Sequence, residues 1–274
     1  MNLAIWKKAV SDAWLHLLLS AVILVLFSWV FIWLLSQFPI DAFSKILDWL
    51  PEWLEPLFGI PMQHFGSPAG VLSLLYIHAV TLLVCVGWAV GRGSASISGE
   101  IAHGTMDLIL SLPVRRATVM LAPAVVATVG AAVLAGAILL GTCIGLATID
   151  FSDDVSTWQF LPGAVNLACM VFCLTGVTTF VSSWNRSRWR TIALAVGFFL
   201  VSEILEMVGR VWEWGSWLKY CSFVTAFQPH LVILQPEEHG LLAPAYNGTL
   251  LALGLVAYIA AAIVLTRRDI PAAR

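Results

Sequence analysis

The chain has 274 residues, of which 60% are hydrophobic and 11% are charged, and its mean hydropathy is +0.91. Soluble domains carry about 25% charged residues, so this composition excludes an ordinary soluble domain and indicates a membrane protein. The formal net charge of −2 does not decide the class, because in a membrane protein the placement of charge matters more than its sum. The sequence has no basic tail or patch, so we expect no nucleic-acid partner.

The apolar runs predict an all-α integral membrane protein, a single transmembrane domain over residues 1–274 with six spanning helices. A helix needs about 20 apolar residues to cross about 30 Å of hydrocarbon. In chain order, we expect spans at 14–36, 71–91, 119–148, 160–183, 190–209 and 248–266. The third run has no charge from Ala117 to Ile149, so it is expected to tilt or extend beyond the bilayer. The fifth apolar run is the least continuous, because Glu203 and Glu206 interrupt its second half.

The basic residues predict that both chain ends lie in the cytoplasm, because short inner loops carry the excess of Lys and Arg. With the N-terminus inside, only Lys45, Arg210 and Lys219 of the 14 basic residues fall outside. Removing any one span would scramble this alternation, which supports the count of six. The leading segment AIWKKAVSDAW is predicted to be an amphipathic helix on the inner surface. The apolar run after it is too long for a cleaved signal peptide and favours a signal anchor.

Two outer loops are long enough to hold further structure. The first, 37–70, is predicted to contain a short interfacial helix, because four apolar side chains fall near helical spacing: Trp49, Trp53, Leu54 and Phe58. The second, 210–247, contains apolar stretches too short to span, which are either re-entrant or interfacial. Within the spans, small residues recur at the spacing of close helix contacts, in the pairs Gly87 and Gly91, Ala127 and Ala131, and Gly141 and Gly145.

The inner loop 92–116, GRGSASISGEIAHGTMDLILSLPVRR, has the most structured sequence outside the spans. Residues 94–103 are predicted to form a short helix that Gly104 ends as a C-cap. Thr105 offers an N-cap oxygen for a second short helix, with Asp107 in its first turn. An apolar run then ends at Pro113, before two arginines that anchor the loop at the inner headgroups, Arg115 and Arg116. From the residues alone, this loop is equally well a docking surface or an ordinary connector.

No catalytic signature is present in the sequence, which lacks HExxH, GxSxG, a P-loop and the Rossmann glycine pattern. We therefore expect no catalytic residue, no metal site and no cofactor bound by this chain. Four of the five cysteines lie inside apolar runs, which leaves no disulfide framework within one chain. Cys169 and Cys173 lie on one helix face and are interpreted as small packing residues in preference to soft metal ligands.

The string GEIAHGTMDLILSLPVRR resembles a pattern of ABC-2-type transporter permeases, in which a Glu, a Gly-Thr pair, a leucine-rich turn and a Pro-x-x-Arg follow the second span. The matching residues are Glu100, Gly104, Thr105, Leu108, Leu110, Ser111, Pro113 and Arg116. The closing TRRDIP is similar to the family's C-terminal Arg-Asp ending, at Arg268 and Asp269. The N-terminal helix departs from the family, whose Lys-Glu-Leu-like triplet is replaced by Lys7-Lys8-Ala9-Val10, without the acid.

The resemblance implies an ABC-2-type exporter bundle and the function of a permease subunit in an ATP-driven transporter. Two separate P-loop ATPase subunits would bind ATP and Mg and supply energy in trans. A second permease subunit, with an identical copy as the leading candidate, would complete the pathway in a multi-pass cell-membrane complex. The loop would act as a coupling helix seated in an ATPase groove, through Glu100, His103, Gly104, Thr105, Asp107, Leu108, Leu110, Pro113, Arg115 and Arg116.

Ionisable residues inside the spans are the candidates for the substrate pathway, because their burial in hydrocarbon is expensive. Glu206 and Arg210 are spaced to pair with each other, whereas Glu203 is the hypothesised pathway residue. His78 either packs in the bundle or lines the pathway.

The alternative function is an intramembrane enzyme or assembly factor using Glu203, Glu206 and two outer-loop histidines, His230 and His239. A third is a membrane anchor for a partner complex. The substrate is not indicated by the sequence.

Overall fold

The computed structural model describes residues 3–38, 67–106, 116–149, 155–234 and 242–267. The interfacial helix predicted around Trp49 and Trp53, the C-terminal Arg268 and Asp269, and His239 lie outside these ranges. The second half of the inner loop, including Asp107, Leu108, Leu110, Pro113 and Arg115, also lies outside them.

Helices account for the secondary structure of the described residues, which contain no strand. The α-helices are α1 (Leu3–Ser11), α2 (Trp14–Ser36), α3 (Pro68–Ser73), α4 (Ala79–Ser94), α5 (Arg116–Thr148), α6 (Leu161–Trp184), α7 (Arg188–Val211), α8 (Pro229–Leu234) and α9 (Leu242–Arg267). Short 3-10 helices cover Leu74–Tyr76, Thr157–Phe160, Glu213–Cys221 and Phe223–Ala226. A π-helical segment, Ala95–Gly99, and a final α-turn, Glu100–Ala102, follow α4.

Six helical stretches of the described chain are long and apolar enough to cross a membrane. They are Leu3–Ser36, Pro68–Ala102, Thr118–Thr148, Thr157–Trp184, Arg188–Val211 and Ala243–Arg267. This result confirms the prediction of an all-α protein with six spanning helices. The third is one continuous helix of 33 residues, about 50 Å long, so it exceeds the thickness of the hydrocarbon.

Helix α6 lies at the centre of the bundle and packs against α4, α5, α7 and α9. Close packing is possible because small residues line its contacts. A Cβ atom added to Gly176 would lie 2.6 Å from the carbonyl oxygen of Gly254 in α9, so the two backbones are in direct contact. Cys169 and Cys173 are buried in the same core, which fits their interpretation as packing residues.

The predicted close contacts of small residues are present between α2 and α5 but are not formed at Gly87 among the described residues. Between α2 and α5, a Cβ on Gly141 would lie 2.8 Å from the Val25 carbonyl oxygen, and one on Gly145 would lie 2.5 Å from Ile32. Ala127 and Ala131 are likewise buried in α5. A Cβ on Gly87, however, would meet no atom of the described residues within 4 Å, so the predicted close contact is not formed there within this part of the chain.

The second span differs from the continuous helix expected over 71–91. It is broken at His78, whose backbone is extended (φ −63°, ψ 144°) and whose Nδ1 accepts the Val80 N–H at 3.2 Å as the N-cap of α4. On the inner side, the helix does not end near Gly91 but continues through the π segment to Ala102. Residues 94–103 therefore extend the second span and do not form the separate short helix that the sequence suggested.

The contact between Gly176 and Gly254 predicts a strong dependence of stability on one methyl group. We expect Gly176→Ala to lower the free energy of unfolding by about 1–3 kcal/mol, because backbone atoms must move to make room. The matched control is Gly197→Ala in α7, where an added Cβ meets no atom of the described ranges within 4 Å. This control should be neutral or slightly stabilising, because Ala favours a helix over Gly. Thermal unfolding of both variants in one detergent measures the difference, and equal stabilities would contradict the packing.

Candidate functional site

The end of the second span forms a capped turn at the inner side of the bundle. Gly104 has a φ of +70°, the left-handed conformation that glycine adopts without strain. Its N–H donates to the Ile101 carbonyl oxygen at 3.1 Å, and the Thr105 N–H donates to that of Glu100 at 3.0 Å. This double closure is the Schellman arrangement, which satisfies carbonyl groups at a helix end. Gly104 therefore ends the helix, as the sequence predicted, in the position just after the C-cap residue His103.

The carboxylate of Glu100 joins this turn to the N-terminal helix. Lys8 Nζ in α1 forms an ion pair with Glu100 Oε1, and the Thr105 hydroxyl donates to Glu100 Oε2. Lys8 also lies 3.8 Å from Asp12 Oδ2, one turn further along the chain. The N-terminal helix lacks the acid of the family's triplet, but Lys8 still forms an ion pair with Glu100. Helix α1 and the turn are therefore connected without that acid.

A second cation, Arg92, connects the bend between α1 and α2 to the second span. Its Nη1 donates to the carbonyl oxygen of Asp12 at 3.0 Å, and its guanidinium carbon lies 5.9 Å from the centre of the Trp88 ring. A small cavity of about 80 Å³ lies beside it, with Lys8, Glu100 and Pro123 in its walls. We call the group Lys8, Asp12, Arg92, Glu100 and Thr105 the inner junction.

Hydroxyl groups fasten the π segment to the neighbouring helices. Ser182 Oγ in α6 accepts the Ser98 N–H at 2.8 Å, and the Thr191 hydroxyl in α7 donates to Ser98 Oγ at 2.9 Å. Arg188 Nε donates to Ser94 Oγ at 3.4 Å. Three spanning helices therefore meet at the π segment, and π turns occur often at functional sites.

The predicted coupling residues that are described lie together at this end. Glu100 and Thr105 face the inner junction, whereas His103 and Gly104 are exposed. His103 Nδ1 lies 2.7 Å from the carbonyl oxygen of Gly99, which orients the imidazole along the turn. Arg116 is the first residue of α5. Met106, which the sequence analysis did not single out, is 2% exposed and packs with Ile97, Met120, Tyr258 and Leu265.

A larger cavity, of about 290 Å³, lies at the opposite end of the second span. We call it the outer cavity. Its polar lining residues are Glu203, Glu206, Arg210 and His230. Its apolar lining residues are Ile77, Leu82, Ile204, Met207, Val224 and Phe227. The structure therefore brings both predicted pathway carboxylates and one predicted outer-loop histidine to a single cavity.

The two carboxylates of the outer cavity have different surroundings. Glu206, 5% exposed, forms the expected ion pair with Arg210, and Gln228 bridges the pair with bonds of 3.1 Å to Arg210 and 3.4 Å to Glu206. Glu203 is half-buried. Among the described residues, its carboxylate has neither a hydrogen bond nor an ion pair. One carboxylate is therefore neutralised and the other is left to face the cavity.

The third predicted pathway residue, His78, is placed elsewhere. Its ring caps α4 and packs against the rings of Phe27 and Phe31 in α2, with centroids 4.8 Å and 5.7 Å away. Its neighbour Ile77 lines the outer cavity, but His78 does not. The structure thus places His78 among the packed histidines, which was one of its two interpretations.

A buried asparagine holds the segment 222–230 over the outer end of the bundle. Asn166 in α6 is fully buried; its Nδ2 donates to Ala226 O at 3.0 Å and to Asn247 Oδ1 at 2.7 Å. Its Oδ1 accepts the Gln228 N–H at 3.0 Å. The second outer loop has two parts, which differ in how deeply they are buried. Phe223–Leu234 packs into the bundle, while the 3-10 helix Glu213–Cys221 exposes aromatic side chains, Trp214, Trp217 and Tyr220.

Sequence reasoning missed the uncharged members of these networks. Asn166, Ser182 and Thr191 lie inside predicted spans, in which only the charged residues and His78 were candidates from the sequence. An amide at the core of a span is itself a signal, because a polar group in hydrocarbon must find a partner inside the protein. Which partner it finds depends on how the helices pack.

The Asn166 network predicts a measurable loss of stability. Replacing Asn166 with Ala would leave the Gln228 N–H, the Ala226 carbonyl and the Asn247 amide without a buried partner. We expect a loss of about 3 kcal/mol or more, because each of the three orphaned polar groups costs about 1–3 kcal/mol. The matched control is Asn185→Ala, since Asn185 makes one bond of 2.9 Å at the end of α6. Thermal unfolding in detergent compares the two, and an equally small loss for both would rule out the network.

Comparison with known proteins identifies the family. A family model described as an ABC-2 family transporter protein matches residues 6–270. A search of curated proteins finds no match. Members of this family are transmembrane transport components that associate with ATPase subunits and carry no ATPase site of their own. The match covers nearly the whole chain and agrees with the six apolar helices. The chain belongs to the ABC-2 transporter family, as a multi-pass permease of the cell membrane.

Proposed function

We propose that this permease couples ATP hydrolysis on two partner ATPase subunits to export, with residues 100–116 as the coupling element. ATP and Mg bind to the partners, and this chain transmits the movement. The observation that supports the proposal most directly is the continuity of the second span, which runs without a break from the N-cap at His78 to Ala102.

This continuous helix connects the two sites. Leu82 lines the outer cavity near one end, and Glu100 belongs to the inner junction at the other. The helical rod from Ala79 to Ala102 is about 35 Å long at 1.5 Å per residue. A displacement imposed on the inner turn is therefore transferred along the rod to a wall of the outer cavity. Such helix movements, coupled to rocking of the half-bundles, are a common form of switching.

The inner junction fixes the orientation of the turn on which the ATPase would act. Lys8 and Thr105 hold Glu100 from two sides, so the turn has a fixed orientation relative to α1. The exposed backbone of His103 and Gly104 is the described part of the surface offered to an ATPase. The Lys8–Glu100 pair is partly exposed, at 44% and 19% of the side chains, and such pairs contribute about 0–1 kcal/mol. Its role is therefore orientation rather than stability.

A second permease subunit, most simply a second copy of this chain, would complete the pathway. The outer cavity is open on the side of α7 where Ile204 and Met207 are 55% and 46% exposed. A cavity open along a spanning helix is half of a pathway, and a partner bundle facing it would close the other half. The intramembrane enzyme is less well supported, because Glu206 is already engaged by Arg210 and family membership indicates transport.

A charge exchange at the inner junction tests the coupling. In the reconstituted complex with its ATPase, we expect Glu100→Lys to lower permease-stimulated ATP hydrolysis about tenfold, since a misplaced turn forfeits interface energy of about 1.4 kcal/mol. The double variant Lys8→Glu/Glu100→Lys restores the pair and should recover part of the rate. Lys7→Glu, an exposed neighbour, is the control and should retain the wild-type rate. Full stimulation by Glu100→Lys would overturn the proposed coupling.

Movement of the cavity wall is tested by labelling a cysteine in place of Leu82. In a Cys221→Ser background, which removes the exposed native thiol, Leu82→Cys should react with a water-soluble thiol reagent at a rate that changes about fivefold or more when vanadate traps the ATPase. The control is Trp217→Cys in the exposed outer helix, which should react at a constant rate. A nucleotide-independent rate at position 82 would exclude the second span as the transmitting element.

A further inference from the structure

We infer that the ligand of the outer cavity is an amphipathic organic monocation, bound by Glu203 and the apolar walls; this inference rests on the proposed role of the cavity as part of the transport pathway. The chemical class follows from the charges that the cavity leaves unpaired, from its lining and from its position in the bundle.

The charges of the cavity favour a cation over an anion. Its lining contains two carboxylates, the guanidinium of Arg210 and the imidazole of His230. Arg210 is occupied, because it pairs with Glu206 and donates to Gln228 at 3.1 Å. An anion would have to displace Glu206 from Arg210 and leave that carboxylate buried and unpaired, which is strongly unfavourable. A cation would meet Glu203 directly, with no existing pair to break.

The apolar walls exclude a small hydrated ion as the ligand. A hard metal cation requires about six oxygen ligands, whereas Glu203 is the only lining carboxylate without a partner among the described residues. Most of the lining is aliphatic or aromatic, with Ile77, Leu82 and Phe227 facing the same space. Apolar walls around one oriented charge are typical of pockets for organic ligands, and an aromatic face adds attraction for a cation. The ligand is therefore a cation with a substantial apolar body.

The position of Glu203 makes such a ligand energetically favourable. The carboxylate belongs to a spanning helix and is half-buried, and a lone charge at that place is expensive. A bound cation relieves that cost without bringing in a hydration shell. Ile204 and Met207 line the cavity and are largely exposed in this chain, so apolar surface lies next to Glu203 for the body of an amphipathic molecule.

Two ions of nearly equal shape and opposite charge distinguish a cationic ligand from an anionic one. They are tetraphenylphosphonium, the cation, and tetraphenylborate, the anion. The permease–ATPase complex in nanodiscs is titrated with each ion, and empty nanodiscs correct for partition into lipid. We expect saturable binding of tetraphenylphosphonium, weakened about tenfold by Glu203→Gln, which removes one direct charge contact. Glu213→Gln is the matched control, because Glu213 is an exposed carboxylate on the outer helix outside the cavity. Tetraphenylborate should bind no better to the wild type than to the Glu203→Gln variant.

The outcomes separate this inference from the proposed function. Equal binding of both ions, no saturable binding of the cation, or an unchanged affinity after Glu203→Gln overturns the cationic ligand. Thermal unfolding of Glu203→Gln, with Glu203→Asp as a variant that keeps the charge, shows whether a lost affinity reflects misfolding; rescue by Glu203→Asp supports the charge contact. These measurements need no ATP hydrolysis, so failure of the Glu100 and Leu82 tests would overturn the coupling and leave the binding result standing.

Discussion

The packing of helix α6 is the constraint on which the other features depend. Three of its residues contact neighbouring segments at three levels along the helix. Asn166 fastens the outer segment, Gly176 allows α9 to touch its backbone, and Ser182 binds the π segment of the second span. In hydrocarbon there is no water to take over these bonds, so each polar group on α6 must meet a partner on a neighbour. The central helix is therefore the fixed part against which other helices are placed.

The second span has three irregularities that fit its proposed role as the moving part. It is interrupted at His78, contains a π segment at Ala95–Gly99, and ends at the left-handed Gly104. Its attachments to α6 and α7 through Ser98 are neutral hydrogen bonds, each contributing about 1 kcal/mol. Bonds of that size hold one arrangement but can be exchanged for others when a larger free energy is applied. Just before the π segment the second span is packed tightly, because a Cβ on Gly93 would lie 2.6 Å from Thr178 Cβ in α6. The exchangeable contacts are therefore those at the inner end of the span.

Charge is distributed differently at the two ends of the bundle. At the inner junction, the side chains of Lys8 and Asp12 are about half exposed, and their contacts with each other and with Glu100 set orientation at little net energy. At the outer cavity, Glu206 and Arg210 are mostly buried, so breaking their pair is expensive, and Glu203 is the lining carboxylate without an ion pair among the described residues. This difference fits the two proposed roles, a protein partner at the inner junction and a small molecule in the outer cavity.

The sequence by itself determined the features that depend on neighbours along the chain. Apolar length predicted the six spans, spacing of four predicted the Glu206–Arg210 pair, and a glycine after a helical run predicted the cap at Gly104. The tertiary structure alone decided the contacts between distant residues. It paired Lys8 with Glu100 across 92 positions, joined Asn166 to Gln228 and Asn247, and carried the second span on to Ala102. Local rules carry no information on which helix faces are adjacent, and a buried polar group takes its partner from whichever helix packs beside it.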